Sequence, residues 1–114
     1  MSFSEIELKH ISDTVGKMCE RRSPVQFRDK LRTIFEVKGH NVTVYEERPH
    51  WKNPQRWLSL PVVKFKYVRT DNVWKLYWMR SDMQWHFYEM SRDTKTLEEL
   101  VKEVDSDTYG EFFG

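Results

Sequence analysis

The stretch Val62-Val63-Lys64-Phe65-Lys66-Tyr67-Val68-Arg69, then Thr70-Asp71-Asn72, then Val73-Trp74-Lys75-Leu76-Tyr77-Trp78-Met79, decides the architecture. Val63, Phe65 and Tyr67 alternate with Lys64 and Lys66. In the second run Trp74, Leu76 and Trp78 alternate with Lys75, Tyr77 and Met79. A period of two is the period of a β-strand, whose successive side chains point to opposite faces. Thr70-Asp71-Asn72 is turn chemistry. Ser81-Asp82 marks a second turn, after which Gln84 to Tyr88 alternates Trp85 and Phe87 with His86 and Tyr88. Connections this short make the three strands an antiparallel meander.

Upstream, Leu31 to Lys38 and Asn41 to Glu47 flank Gly39-His40 and read as a β-hairpin, with Val42 and Val44 on one face and Thr43 and Tyr45 on the other. Arg48 to Leu60, punctuated by Pro49, Pro54 and Pro61, reads as a loop. Trp51 and Trp57 fall in it. They either fold back as a lid on the core or line a binding groove.

Helices flank the strands. Ser2 and Ser4 each precede a glutamate by three residues (Glu5, Glu7), so either pair opens a helix with a capping box. Leu8, Ile11, Val15, Met18 and Cys19 recur at helical spacing up to Ser23-Pro24, which predicts an amphipathic helix over 4–22. Thr96-Leu97-Glu98-Glu99 is a second capping box, and Leu97, Leu100, Val101 and Val104 predict a short helix over 97–105. The tail ends on Phe112 and Phe113, and one of them is expected to dock on the body. The expected fold is α+β: an N-terminal helix, a five-stranded antiparallel sheet made of a hairpin plus a three-strand meander, and a short C-terminal helix packed on one sheet face. One face collects Val42, Val44, Val63, Phe65, Trp74, Leu76, Trp78, Trp85 and Phe87. The other shows Tyr45, Lys64, Lys66, Lys75, Tyr77, His86 and Tyr88 to water.

A chain of 114 residues is one domain, 1–114. Aromatics make up 15% of it, so a small core still buries much area. The formal net charge of +1 is uninformative, but its distribution is not. Residues 1–80 hold 16 basic against 9 acidic residues, and residues 81–114 hold 3 against 9. Either the first part meets an anionic partner, or one half docks on the other, or both faces are simply solvated. Cys19 is alone and on the apolar side of its helix, which fits a buried residue in a reducing compartment. The N-terminus lacks the pattern of a signal peptide, and no apolar run reaches the ~20 residues a membrane helix needs. The reading is a cytoplasmic protein without a membrane partner.

Several strings together resemble one small bacterial family. They are Val42-Thr43-Val44-Tyr45-Glu46-Glu47-Arg48-Pro49-His50-Trp51, Trp57, Val63-Lys64-Phe65-Lys66-Tyr67, Trp74-Lys75-Leu76-Tyr77-Trp78, Trp85-His86, and Glu103-Val104-Asp105-Ser106-Asp107 with Gly110, Phe112 and Gly114. The resemblance is to the domain-of-unknown-function family numbered 3024, and it covers about Phe3 to Gly114. Phe113 stands where relatives usually carry Trp. The resemblance implies a bacterial, cytoplasmic stand-alone domain. It implies no activity and no catalytic residues.

The chain shows little catalytic chemistry. Cys19, His10, His40, His50 and His86 have no metal-ligand spacing, glycine occurs only at 16, 39, 110 and 114, and no nucleophile elbow or phosphate loop is present. No cofactor is expected. Glu46-Glu47 near Lys64 and Lys66 supplies part of the inventory of a metal-dependent nuclease, but cross-strand ion pairs explain the same residues. The segment from Trp51 to Arg80 holds seven basic residues and only one acid, Asp71, interleaved with aromatics. The functional expectation is therefore a non-catalytic binding module for a protein partner or a second copy of the chain. The alternative is a nucleic-acid platform on a basic-aromatic sheet face, and a small enzyme such as a nuclease is a distant third. The expected surface is Tyr45, Arg48, Trp51, Arg56, Trp57, Lys64, Lys66, Lys75, Tyr77 and His86.

Overall fold

The structure is a computed structural model that describes residues 3–107, 110, 112 and 113. Helix α1 (Glu5–Ile11) runs through a π-helical turn (Ser12–Gly16) into α2 (Lys17–Arg21). Five strands follow: β1 (Arg32–Lys38), β2 (Asn41–Pro49), β3 (Trp57–Val68), β4 (Val73–Met79) and β5 (Trp85–Phe87). Helix α3 (Leu97–Ser106) follows the sheet. The strands lie in sequence order, each antiparallel to the next. The expected α+β architecture is the one observed.

Local chemistry accounts for the helices. The Ser4 hydroxyl accepts from the Glu7 N–H at 3.2 Å, and the Glu7 carboxylate accepts from the Ser4 N–H at 2.9 Å. The capping box at Ser4 is formed, and Ser2 lies outside the described residues. Thr14 donates its hydroxyl to the His10 carbonyl at 2.6 Å, one turn back, within the stretch where the helix widens into a π turn. Gly16 sits where that turn meets the sheet: a Cβ there would lie 3.3 Å from the Phe35 ring. Leu8, whose spacing places it on the inward side, is exposed. Glu7 turns toward the sheet instead, where it meets Arg69 at 3.2 Å.

The helices share one face of the sheet. Ile11, Val15, Met18 and Cys19 from the N-terminal helix and Leu97, Leu100, Val101 and Val104 from α3 are buried against Val42, Val44, Val63, Phe65 and Leu76. Sequence periodicity did not reveal Phe3. It is buried and stacks on Trp74 at 5.5 Å and 13°, closing one end of the core. At the other end Phe112 lies against Tyr88 and Trp78, and the Arg22 guanidinium covers Phe113 at 3.8 Å. Both terminal phenylalanines therefore dock. The Asp107 carboxylate, on a residue with φ +45°, holds the turn by accepting from their two N–H groups.

Cys19 is 4% exposed, and burial pushes its thiol up to about 12. The thiolate is the reactive form. Native protein should therefore resist thiol reagents at neutral pH and label fully once denatured. Rapid labelling of the native protein at neutral pH would contradict this burial.

Two expectations about the strands need correction. First, Arg48 to Leu60 is a loop only over residues 50–56. β2 runs to Pro49 and β3 begins at Trp57, paired in register Pro49 with Trp57 through Tyr45 with Pro61. Pro61 is accommodated because the register shifts beside it: Val44 pairs with Val63 and Tyr45 with Pro61, leaving Val62 as an extra residue. A bulge is where a sheet accepts proline. Second, β5 has the opposite phase. Met79 pairs with Trp85, Trp78 with His86, and Tyr77 with Phe87. Trp85 and Phe87 thus share the outer face with Tyr77 and Met79, while His86 and the buried Tyr88 share the inner face with Trp78.

Candidate functional site

The face of the sheet away from the helices collects the outward residues of all five strands. Transverse rows follow from the register. Lys38, Asn41, Lys66 and Lys75 form one row, and Glu36, Thr43, Lys64, Tyr77 and Phe87 form the next. Beyond them lie Ile34, Tyr45 and Pro61, then Met79 with Trp85. Lysines therefore concentrate at one end of the face and rings at the other.

The electrostatics are unusual for a solvated sheet. Lys66 and Lys75 are direct cross-strand partners, a like-charge arrangement that destabilises a strand pair. Lys64 stands over the rings of its neighbours, its ammonium 5.6 Å from the Tyr77 centroid and 4.9 Å from that of Trp85. Partial burial, with the charge of Lys66 added, holds the Lys64 ammonium below the usual lysine value. Tyr77 and Phe87 meet edge to face at 5.7 Å. Among the described residues none of Lys64, Lys66 and Lys75 has an ion-pair partner.

Several acids are engaged elsewhere, while Glu36, in the same outer row as Lys64, makes no ion pair among the described residues. Asp105 of α3 takes Arg21 at 3.0 Å and Arg22 at 3.2 Å, and Glu98 bonds His10. The acidic C-terminal part thus docks on the N-terminal helix, on the opposite side of the sheet. Glu46 and Glu47 alternate to the two sides of β2 and bond Arg48 at 2.5 Å and Arg32 at 2.8 Å. They do not converge with Lys64 and Lys66 into a nuclease-like set. Among the described residues there is no group of three or more metal-capable side chains, and no helix is long and apolar enough to cross a membrane.

The ten residues expected to form a surface separate into three groups. Tyr45, Lys64, Lys66, Lys75 and Tyr77 lie together on the outer face, where the alternation placed them. Trp57 lies at the far end of the same face, with the Arg32 guanidinium 4.0 Å above its ring, so it does not lid the core. Trp51 and Arg56 belong to the connection at the tip of the β2–β3 hairpin, roughly 25–30 Å of strand from Lys66 at about 3.3 Å per residue. Trp51 is 79% exposed, stacked on His50 and flanked by Lys52 at 4.8 Å. Arg48 and His86 turn to the other side of the sheet, held by Glu46 and by Asp82. On β5 the place expected for His86 on the outer face falls to Trp85 and Phe87. Hydrophobicity assigns these two to the core, and only the β4–β5 register places them outside.

The sequence matches the DUF3024 family, a domain of unknown function, over residues 3–114. The chain belongs to the DUF3024 family. No curated protein and no solved structure matches it. Membership brings this DUF3024 chain no activity, so its surface has to be read from its own chemistry.

Proposed function

We propose that this DUF3024 domain is a non-catalytic binding module whose uncovered sheet face takes single-stranded nucleic acid. A bacterial, cytoplasmic setting belongs to the same reading. The observation that carries it is the set of three lysines on β3 and β4 without acid partners, two of them directly opposed, beside Tyr77, Trp85 and Phe87. Phosphates neutralise such a cationic row, and bases gain ~1–3 kcal/mol each by stacking on aromatic side chains. A polyanion also relieves the Lys66–Lys75 repulsion, so binding recovers a cost the free fold carries. A protein partner would gain from the rings but leave the opposed lysines unexplained unless its own surface were acidic.

The test is fluorescence anisotropy of a labelled single-stranded 20-mer titrated with protein at two salt concentrations. The expected result is binding that weakens steeply with salt and quenches tryptophan. Absence of binding at low salt and micromolar protein would remove this reading. A pH series adds an independent check. Bound phosphate favours the charged form of Lys64, so binding takes up a proton there. Affinity should fall as pH rises through the depressed Lys64 value, before ordinary lysines lose their charge. In the free fold the sign is reversed: because the charged form is disfavoured, stability rises with pH over that window.

A further inference from the structure

A second surface lies at the edge of the sheet and does not depend on the nucleic-acid reading. β1 ends the strand order, so one side of its backbone has no neighbouring strand. Lys38 and Asn41 close the two-residue connection Gly39-His40, and hydrogen-bonded pairs alternate from there. Arg32, Ile34, Glu36 and Lys38 therefore bond β2, while Thr33, Phe35 and Val37 turn their N–H and C=O groups outward. Ser23 agrees with this parity: its hydroxyl accepts from the Thr33 N–H at 2.7 Å and donates to the Thr33 carbonyl at 3.1 Å. The edge is thus closed at Thr33 and open at Phe35 and Val37. Beside its Thr33–Phe35 end lies a cleft of about 430 Å³ lined by Ser12, Gly16, Cys19, Arg28 and Phe35.

We infer that two copies of this chain pair through β1, antiparallel, about a two-fold axis at Val37. Three registers use the outward groups. Centred on Phe35, the added strand would need the main chain of Thr33, which Ser23 already occupies. Centred on Glu36, it would set that carboxylate against its own copy. Centred on Val37, it sets Glu36 of each copy opposite Lys38 of the other, twice, on the outer face. Neither Glu36 nor Lys38 has an ion-pair partner among the described residues, so both are free to make these pairs. An edge of alternating charge that is complementary to itself in one register and repulsive in the next selects its partner as well as its alignment. The axis stands perpendicular to the sheet. The two outer faces then become one continuous surface, with the lysine rows near its centre.

Sedimentation equilibrium of the full chain up to about 1 mM tests this. The expected result is a monomer–dimer equilibrium, with Glu36→Lys and Lys38→Glu each weakening the dimer about tenfold or more. The double variant E36K/K38E should restore it, because the swap rebuilds both pairs with the charges exchanged. Both side chains are exposed and unpaired, so the fold should persist, as circular dichroism will verify. As a second readout, Glu36→Cys combined with Lys38→Cys should oxidise to a disulfide-linked dimer, since facing residues of a non-hydrogen-bonded pair lie about 4.5 Å apart at Cα. Buried Cys19 should not compete. A monomer at all concentrations, indifference to the single reversals, or failure of the double variant to recover would each overturn the pairing.

Discussion

Replacing Phe65 by alanine should lower the free energy of unfolding by about 3–5 kcal/mol. Phe65 is fully buried in β3, the central strand of the sheet, and pairs with Val42 on one side and Leu76 on the other. It belongs to one buried cluster with residues of the N-terminal helix, α3 and strands β2 and β4, so its removal leaves a cavity inside the core. Domains of this size are stable by about 5–15 kcal/mol, and the variant should sit near the edge of folding at 37 °C. Urea denaturation followed by tryptophan fluorescence will measure the loss. Lys66, the adjacent residue of the same strand, points outward and is exposed. Lys66→Ala should leave the midpoint unchanged or raise it slightly, by removing the repulsion of Lys75. A loss below about 1.5 kcal/mol for Phe65→Ala would mean that the inner face is not packed as described.

Lys75→Glu should separate stability from binding in opposite directions. It turns a repulsive cross-strand pair into an attractive one with Lys66, and such pairs differ by roughly 0.2–1 kcal/mol. The urea midpoint should rise. The same change puts a carboxylate into the cationic row and should weaken single-stranded nucleic acid binding by at least about tenfold at low salt. Removing Lys64, Lys66 and Lys75 together should also flatten the salt dependence, by about 0.7 in slope for each phosphate no longer neutralised. A stabilised Lys75→Glu protein that binds as tightly as the parent would place the nucleic-acid surface elsewhere, with the exposed Trp51 hairpin tip as the next candidate. A Lys75→Glu protein that is both less stable and weaker in binding would show that the lysine pair is not repulsive in the fold.

Much of this was legible in the chain because it depends on local periodicity. Val63, Phe65 and Leu76 alternate with Lys64, Lys66, Lys75 and Tyr77, and no register slip was available that kept the apolar set inside. The helices were legible from Ile11, Val15, Met18 and Cys19 and from Leu97 to Val104, each run with a capping residue at its start. Trp85 and Phe87 misled for the same reason that the others did not. They are more apolar than His86 and Tyr88, so hydrophobicity assigns them to the core. The turn after Met79 contains Met83 at φ +61°, and its length sets Trp85 opposite Met79 on the outer face. Pro49 and Pro61 misled as loop markers because proline is tolerated at the end of a strand and beside a bulge, and both positions occur here.

The amino-acid order by itself determined that helices flank five strands, that the sheet is antiparallel, and that lysines and tyrosines of β3 and β4 share a face. These follow from side-chain period and short connections, which act between neighbours in the chain. Only the tertiary structure decided three further things: that Trp85 and Phe87 complete the outer face, that the acids of α3 meet Arg21, Arg22 and His10 rather than the strand lysines, and that Trp51 stands apart from the lysine row. Each depends on which distant segments touch. That is set by packing of the whole core and by the register between strands, neither of which a local pattern encodes.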